Sequence, residues 1–227
     1  MPLAHPLDRP AWSALSTRQA PLALGDARAL QFAPEYGPFA GAADSSPECQ
    51  AALGALAPGG DGLWLVEPDA PPPPPGLVAS LRAPCVQMTA KAVSEADASF
   101  QPLALVEDDA SQMLELARLT KPGPFSTRTH RLGAFIGVKQ DGRLVAMAGE
   151  RMRPDGFTEV SGVCTHPDHR GRGYAGGLMR LVARSILDRG ETPFLHAYET
   201  NASAIALYRT LGFVFRRTVI LTILKRG

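Results

Sequence analysis

The second half of the chain shows two hydrophobic periods, and these predict helices and strands in turn. Apolar residues recur at helical spacing over 107–120, and the prolines and the glycine of 121–126 end this helix. Segments 131–140, 143–152 and 158–166 then predict three antiparallel strands, because short turns containing Asp-Gly separate them.

A helix, a strand, a second helix and a last strand complete this half. They are predicted over 176–190, 193–199, 201–212 and 213–225. The first of these helices is amphipathic, with arginines on one side and an apolar face that is predicted to consist of Leu178, Leu181, Val182 and Ile186. This order of elements predicts a mixed α/β fold.

The first half is different, because 15 of the 21 prolines lie within residues 1–100. Its best predicted strands are 62–67 and 77–90. Pro71–Pro75, between them, must form polyproline II backbone that donates no hydrogen bonds. Such a run is either a stiff surface loop between two strands or a ligand for a partner protein.

Charge is unevenly divided, although the net charge is only +1. Residues 1–100 hold 5 basic and 10 acidic side chains, and residues 101–227 hold 18 and 12. A basic half of this size favours a small polyanionic ligand, and the lack of long Lys/Arg tracts argues against nucleic acid.

Cysteine usage and hydropathy bear on the cellular compartment to expect. Cys49, Cys85 and Cys164 are widely spaced, so neither a disulfide framework nor a cysteine-ligated zinc site is expected. Residues 1–12 lack the basic and apolar regions of a signal peptide, and no stretch approaches the roughly 18 apolar residues of a membrane span. We therefore expect a cytoplasmic protein that does not cross a membrane.

The stretch "HPDHRGRGYAGGLM" (166–179) joins the end of a predicted strand to the start of a predicted helix. Gly171 and Gly173 allow positive φ and a close approach of backbone to a ligand. The unpaired amides at a helix N-terminus favour an anion, and Arg170 and Arg172 add charged donors. Neither a Walker A loop nor a dinucleotide fingerprint is present. The stretch predicts a site for a pyrophosphate.

Arg170-x-x-Gly173-x-Ala175 resembles the R/Q-x-x-G-x-G/A signature of the GNAT superfamily of N-acetyltransferases. The preceding strand, the following helix and the later segment "NASAIALYRTLGF" (201–213) are similar to that superfamily, in the same order. The resemblance covers about half the chain, roughly residues 105–220, and is strongest to a bacterial subgroup related to glycine N-acyltransferases. It implies an α/β (α+β) GNAT fold, with a mostly antiparallel, splayed sheet flanked by helices.

The resemblance also bears on the domain organisation. We predict a GNAT domain over 96–227 and an N-terminal α/β region over 1–95, with the boundary somewhere within 91–105. In the subgroup the N-terminal half can be a degenerate copy of the same fold, which would account for residues 1–95.

Carried over by position, the resemblance assigns contacts to acetyl-CoA or another acyl-CoA. Backbone groups of Val163, Cys164 and Thr165 would pair with the pantetheine arm and the thioester. Asn201 would meet CoA near its β-alanine part, and Ala204 and Tyr208 follow on the same helix. The pyrophosphate would be bound by Arg170, Gly171, Arg172, Gly173, Tyr174, Ala175 and Gly176.

Three side chains are predicted to take part in catalysis. Tyr208 stands where many GNAT enzymes have a tyrosine that protonates the departing thiolate, and the alternative is a tyrosine packed in the core. Glu159, eleven residues before Arg170, is similar to the general base of histone-type members. Glu150, on the adjacent strand, is the alternative candidate for the general base. Many members of the superfamily need no dedicated base.

The acceptor site is expected to include part of the loop 121–131. Arg128, His130 and Arg131 could bind a carboxylate there, and a solvated basic loop is the alternative.

No metal site is expected. His166 and His169 have no third ligand in the sequence, so they are expected to be solvated turn residues or distant CoA contacts. Cys164 has no visible His or Asp support as a nucleophile, so a buried strand cysteine is expected.

These residues predict an N-acyltransferase that uses acetyl-CoA. A primary amine, most simply of a small molecule, attacks the thioester directly in a ternary complex, while backbone amides stabilise the oxyanion. The alternatives are an enzyme that transfers a larger acyl group to an amino acid, and a CoA-binding regulatory module without turnover. A monomer or homodimer is expected. Nucleic-acid binding is not expected, because stacking aromatics are missing around the arginines.

Overall fold

A computed structural model describes residues 5–56, 62–95 and 100–227. The first of these ranges forms helix α1, a three-stranded antiparallel sheet and helix α2. The bounds are α1 Pro10–Leu15, β1 Ala23–Asp26, β2 Ala29–Phe32, β3 Ala40–Ala42 and α2 Pro47–Ala55. Both helices begin with proline, whose missing N–H would have no helical partner at that position.

The other strands form one eight-stranded sheet in the order β4-β11-β5-β10-β9-β8-β7-β6. Its strands are β4 Leu63–Glu67, β5 Leu77–Thr89, β6 Leu103–Leu105, β7 Phe135–Gln140, β8 Arg143–Glu150, β9 Phe157–Thr165, β10 Thr192–Tyr198 and β11 Val214–Arg226. Three helices complete the described chain, α3 Ala110–Thr120, α4 Tyr174–Asp188 and α5 Ala202–Thr210.

The predicted mixed α/β fold with a mostly antiparallel, splayed sheet is confirmed, and each predicted element of the second half is present. The apolar face of α4 was predicted with one error. Leu181 is 36% exposed, whereas Met179 and Ala183 are buried. The buried side is centred on the residues four apart, Leu178 and Val182, and Leu181 lies at its margin.

Both faces of the sheet are covered. On one face α4 contributes Leu178 to a core that includes Leu195 of β10. On the other face the N-terminal segment contributes Leu15 and Phe32 to a core that includes Phe194. Successive residues of a strand point to opposite faces, so the neighbours Phe194 and Leu195 belong to different cores.

Strands from both predicted domains alternate in this sheet. β5 lies between β10 and β11 and is antiparallel to both, and β4 pairs with the other edge of β11. The predicted boundary between residues 95 and 96 adjoins 96–99, which lie outside the described residues. The reading of 1–95 as a degenerate copy stays a prediction. The sheet itself includes strands from both sides of the boundary.

We predict that residues 96–227 alone do not fold cooperatively. Without β5, both β10 and β11 lose a partner strand, and the core under the N-terminal segment is exposed to water. Circular dichroism should show a broad thermal transition for this fragment and a sharp one for the full chain. Adding residues 1–95 as a separate chain should restore the sharp transition. A sharp transition for 96–227 alone would contradict the prediction.

Candidate active site

The parallel strands β9 and β10 separate partway along their length. Their pairing ends at Glu159–Phe194, whereas β9 continues to Thr165 and β10 to Tyr198. Beyond that point, among the described residues, β9 pairs with β8 and β10 pairs with β5, but the two strands no longer pair with each other. Two strand edges with unpaired backbone groups result.

A cleft of about 740 Å³ opens at the end of β9. Its walls come from β9, the loop before α4, the first turn of α4, the start of α5 and the end of α3. The lining residues are Thr120, Pro122, Val163, Cys164, Thr165, His169, Arg170, Gly171, Arg172, Gly173, Tyr174, Ala175, Gly176, Asn201, Ser203, Ala204 and Leu207. The structure thus brings together all the residues predicted to contact the cosubstrate except Tyr208.

A bulge in β9 adjoins this cleft. The register between β8 and β9 shifts between Met147 and Gly149, so that Gly162 and Val163 of β9 oppose a single residue of β8. Gly162 has φ +63°, and an added Cβ would lie 2.8 Å from the ring of Phe135. The bulge therefore requires glycine, and it leaves backbone without a ladder partner beside Val163, which lines the cleft.

The loop before α4 presents open backbone to the cleft. Gly171 and Gly173 have φ of 77° and 76°, and a Cβ added to either would have no neighbour within 4 Å. Gly173 is the N-cap of α4 and cannot cap it with a side chain, so the first amides of α4 have no side-chain acceptor there. Arg170 and Arg172 are exposed beside them. The positive helix end and two guanidinium groups together favour an anion.

Two buried polar atoms on the cleft wall have no hydrogen-bond partner within the described chain. They are Oγ1 of Thr165 and Nδ1 of His169. An unsatisfied buried polar group costs about 1–3 kcal/mol, and both atoms are therefore available to a polar ligand in the cleft. His166, by contrast, accepts a hydrogen bond from the amide of Asp168 through its own Nδ1. Of the two histidines, only His169 is thus a wall residue of the cleft.

Helix α5 forms another wall. Asn201 is its N-cap, and its Oδ1 accepts a hydrogen bond from the amide of Ala204 at 3.2 Å. Tyr208 lies four residues after Ala204 and therefore on the same side of the helix, although it does not line the cleft itself. Burial raises the pKa of the Tyr208 hydroxyl, so it carries its proton at neutral pH.

Cys164 lines the cleft as a thiol rather than a thiolate. Burial raises its pKa to about 11, and a hydrogen bond with Thr120 lowers it only in part. A thiol in this state is a poor nucleophile. The expected buried strand cysteine is the reading that agrees with this environment.

Glu159 is at the last paired position before β9 and β10 separate, and its side chain is 1% exposed. Its Oε2 accepts from Nε of Arg151 at 2.8 Å, and its Oε1 accepts from Nη2 of Arg151 at 2.9 Å and from His196 at 2.8 Å. Burial alone would raise its pKa, but the charge of Arg151 and the hydrogen bonds from His196 and Arg151 outweigh burial and lower it to about 2. Both carboxylate oxygens of Glu159 thus accept hydrogen bonds from Arg151 or His196.

Gln87 of β5 determines which ring nitrogen of His196 accepts a hydrogen bond. The amide oxygen of Gln87 accepts from Arg216 at 2.7 Å, so its amide nitrogen faces both the carbonyl of Leu7 and Nε2 of His196, at 2.8 and 2.9 Å. Because a guanidinium only donates and a carbonyl only accepts, this orientation of the amide is fixed. His196 therefore accepts at Nε2 and donates from Nδ1 to Glu159.

Glu150 lies on the other face of the sheet. It accepts a hydrogen bond from Nη2 of Arg189 at 2.7 Å, at the C-terminal end of α4. The cleft is at the N-terminal end of that helix, about 24 Å away along its axis. The bulge in β9 explains why two acidic residues on adjacent strands are separated. Its extra residue turns Glu159 to the face opposite Glu150.

The basic loop residues are engaged in ion pairs. Arg131 and His130 both contact Glu107, with nitrogen to oxygen distances of 2.7 and 3.0 Å. Arg128 lies 3.6 Å from the carboxylate of Glu35. Arg131 and His130 lower the pKa of Glu107 to about 2. None of the three loop residues lines the cleft, and their role in acceptor binding stays a prediction.

Sequence reasoning missed several residues of the site. Arg151 directly follows β8, His196 lies on β10 and Gln87 on β5 of the first half, so only the fold brings all three to Glu159. Thr120 and Pro122 mark the end of a helix in the sequence, and only the packing of α3 beside β9 brings them to the cleft.

In the described ranges no group of three or more His, Cys, Asp or Glu residues could hold a metal ion. No helix in these ranges is both long and apolar enough to cross a membrane.

We predict that Glu159→Gln lowers the free energy of unfolding by about 3 kcal/mol at neutral pH. The pKa of about 2 in the folded protein lies below the ordinary value of 4.5. The carboxylate therefore stabilises the fold above about pH 4.5, and this contribution is lost as the pH falls toward 2. Urea unfolding from pH 7 to pH 3 should show the wild-type advantage shrinking with acid. The exposed Glu115, changed to Gln, is the control and should show almost no difference. A Glu159→Gln difference that does not depend on pH would be evidence against this ion pair.

A family profile described as FR47-like protein matches residues 135–220, which run from β7 into β11. The N-alpha-acetyltransferase RimI of Mycobacterium tuberculosis is 32% identical over 123 residues, which are 48% of this chain and 75% of that protein. The profile match includes the strand, loop and helix that build the cleft.

Two solved structures extend the likeness over nearly the whole chain. One belongs to a protein from Novosphingobium aromaticivorans that is assigned to the GNAT family of acetyltransferases. It is 47% identical with a TM-score of 0.91, over 98% of this chain and 99% of that one. The GCN5-related N-acetyltransferase from Kribbella flavida, 17% identical, has the same fold with a TM-score of 0.62 over 94% and 95% of the two chains. This chain therefore belongs to the GNAT family of N-acetyltransferases and is an acyltransferase.

Proposed function

We propose that this protein transfers an acetyl group from acetyl-CoA to a primary amine of an acceptor molecule. The observation that carries the proposal is the cleft at the end of β9, where an uncapped helix N-terminus, two open glycines and a strand bulge meet. An acyl-CoA has one group for each of these: a pyrophosphate, an arm that carries amides, and a thioester carbonyl.

The pyrophosphate would lie at the start of α4. The backbone amides of residues 170–176 would donate to its oxygens, because Gly171 and Gly173 leave no side chain in the way. Arg170 and Arg172 would add charge from the exposed mouth of the cleft. They are secondary to the amides in this proposal, since exposed charges are screened by salt.

The pantetheine arm would pair with the free edge of β9. Val163, Cys164 and Thr165 offer backbone groups there, and Asn201 and Ala204 form the opposite wall. An arm in this position also explains the unpaired Oγ1 of Thr165, since pantetheine amides both donate and accept hydrogen bonds. The same reasoning applies to Nδ1 of His169, which is nearer the pyrophosphate along the chain.

The reaction proposed is a direct transfer in a ternary complex. The neutral amine attacks the thioester carbonyl, a C–N bond forms, and the C–S bond breaks with its electron pair leaving on sulfur. Backbone N–H groups of β9 on the edge that no longer pairs with β10 would stabilise the oxyanion of the tetrahedral intermediate. Tyr208, which is protonated at neutral pH, would donate its proton to the departing thiolate. The amine loses one proton, which goes to water or to a base.

Of the two carboxylates predicted as that base, Glu159 is the one at the separation of β9 and β10. Both of its oxygens are occupied by Arg151 and His196, so we propose that it contributes mainly by holding these two side chains in place. Direct proton transfer to Glu159 or to Glu150 stays a prediction. The ion pair of Glu150 with Arg189, at the far end of α4, gives no support to such a role.

Acetyl-CoA incubated with a panel of amines should release free thiol, measured with a thiol reagent. The panel should include amino acids, amino alcohols, polyamines, aminoglycosides and peptides with a free N-terminus, and longer acyl-CoAs should be run in parallel. We expect Tyr208→Phe to lower turnover more than about tenfold while acyl-CoA binding changes little. Equal turnover of the variant would remove Tyr208 from the mechanism. Binding of acyl-CoA without release for any amine would instead indicate a regulatory module.

Thr165→Val tests the cosubstrate site separately from catalysis. Because Oγ1 of Thr165 has no partner in the described structure, its removal should leave the melting temperature unchanged or raise it. It should weaken acyl-CoA binding about five- to tenfold by calorimetry, because one hydrogen bond to the ligand is lost. Thr222→Val is the matched control. Oγ1 of Thr222 is also buried and unpaired, but it lies on β11 outside the cleft, so stability should respond alike and binding should not change. Equal binding by both variants would place the arm elsewhere.

A further inference from the structure

The bulge in β9 is covered on the side away from α4 by the loop 121–126. The position where Gly162 would carry a Cβ is 2.8 Å from Phe135 and 3.7 Å from Phe125 of this loop, and the two rings meet edge to face. Val163, on the other side, packs against the core that includes α4. An amine that approaches a thioester at the bulge from the side opposite α4 therefore passes the loop 121–126.

Arg151 stands beside this approach and is held in one orientation. Its Nε and Nη2 donate to the two oxygens of Glu159 at 2.8 and 2.9 Å. Its guanidinium carbon lies 4.4 Å from the centre of the Phe39 ring, which comes from the first half of the chain. With one edge paired and one face stacked, the guanidinium has little freedom to rotate.

The remaining edge of this guanidinium points toward the loop. A Cβ added to Gly123 would lie 3.9 Å from Nη1 of Arg151, and Gly123 has φ +126°, which other residues rarely adopt. Within the described part of the chain Nη1 donates to no acceptor. Since Glu159 takes two of the five N–H groups, a second fork, formed by Nη1 and the other proton of Nη2, is left for another acceptor pair.

The charges connected to Arg151 favour an anion at that fork. The hydrogen-bonded chain from Arg151 through Glu159, His196 and Gln87 reaches Arg216, and Asp8 joins Arg216 to Arg217. This chain holds three guanidinium groups and two carboxylates, so the arginines and acidic residues leave one positive charge that a bound carboxylate would balance.

We infer that Arg151 binds a carboxylate of the acceptor, so that the preferred acceptors are amines that also carry a carboxylate group. This inference rests on the proposed N-acyl transfer and adds the class of acceptor to it. The basic side chains expected to play this part, Arg128, His130 and Arg131, are paired with Glu35 and Glu107. Arg151 is instead paired on one edge and open on the other, with glycine opposite the open edge.

Phe39 connects the first half of the chain to the proposed acceptor-binding side chain. It belongs to the core formed by the N-terminal segment, and it holds one face of the guanidinium. The first half of the chain therefore supports the acceptor-binding side chain without touching the proposed cosubstrate cleft.

The test compares acceptors that differ only in the carboxylate. Alanine, leucine and phenylalanine are each paired with the corresponding amino alcohol, which keeps the side chain and the primary amine. Initial rates of thiol release from acetyl-CoA give KM and kcat for each. For wild type we expect KM to be at least about tenfold lower for the amino acids, as one charge-assisted hydrogen-bond pair supplies.

Two variants remove the fork in different ways. Arg151→Lys keeps the charge, and the double variant Arg151→Gln with Glu159→Gln removes both charges together, so that no buried carboxylate is left unpaired. Each should raise KM for the amino acids about tenfold or more relative to KM for the amino alcohols measured with the same variant, so that the wild-type preference for the acids is lost whatever the variant does to kcat. The control is Arg153→Lys, two residues along the chain, whose guanidinium is directed toward Glu191 instead and should leave both sets of constants unchanged. Thermal unfolding of every variant checks that the fold is intact.

The outcomes separate the two proposals. A KM increase confined to the amino acids supports the inference. Equal KM increases for acids and alcohols, or wild-type preference for the alcohols, would overturn it and leave N-acyl transfer standing. Thiol release only with amines that lack a carboxylate would also overturn it. No release with any amine of the wider panel would overturn the proposed function and the inference together.

Discussion

The end of the pairing between β9 and β10 is the constraint on which the rest of the site depends. Each strand has a neighbour on its other side, β8 for β9 and β5 for β10, so the two can part without disrupting the sheet. Their separation exposes the edge of β9 that faced β10, close to the bulge that shifts the register of β9 with β8 on its other edge. The loop after β9 then turns directly into α4, so a strand edge and a positive helix end open into one cleft. A cleft that offers both suits an elongated ligand with a polyanionic end.

A buried polar chain holds the two strands together at the point of separation. Glu159 on β9 contacts His196 on β10, and His196 contacts Gln87 on β5, so three adjacent strands are joined on one face. These groups are desolvated, so their contribution to stability depends on every hydrogen-bond partner being present. Gln87 and the N-terminal segment are therefore part of the site, although they lie far from the glycine loop in sequence. This explains physically why the halves of the chain share one sheet.

Local patterns predicted the glycine loop and the two helix starts of the cleft, and long-range contacts decided the rest. The glycines at 171 and 173, the amphipathic α4 and the cap at Asn201 are each encoded within a few residues, whereas Thr120 and Pro122 reach the cleft only through the packing of α3. The error at Leu181 is of the same local kind, since a helical period does not fix the margin of a buried face. The insertion of β5 between β10 and β11, and the bulge that turns Glu159 away from Glu150, depend on strand order and register. Neither leaves a signal in a single sequence.

The proposed binding of cosubstrate and of acceptor divides in the same way between local and long-range features. Binding of an acyl-CoA needs backbone amides and a strand edge, which any side chains that permit the fold can provide, so it survives large changes in sequence. Choice of the acceptor needs particular side chains, and the one proposed here, Arg151, is stacked on Phe39 from the first half, while Gln87 contacts the His196 that shares Glu159 with it. A GNAT chain with a different N-terminal half would lack both supports. On the proposed assignment of Arg151, changes in the N-terminal half would therefore alter the acceptor while leaving the cleft unchanged, because every residue that lines the cleft comes from 120–207.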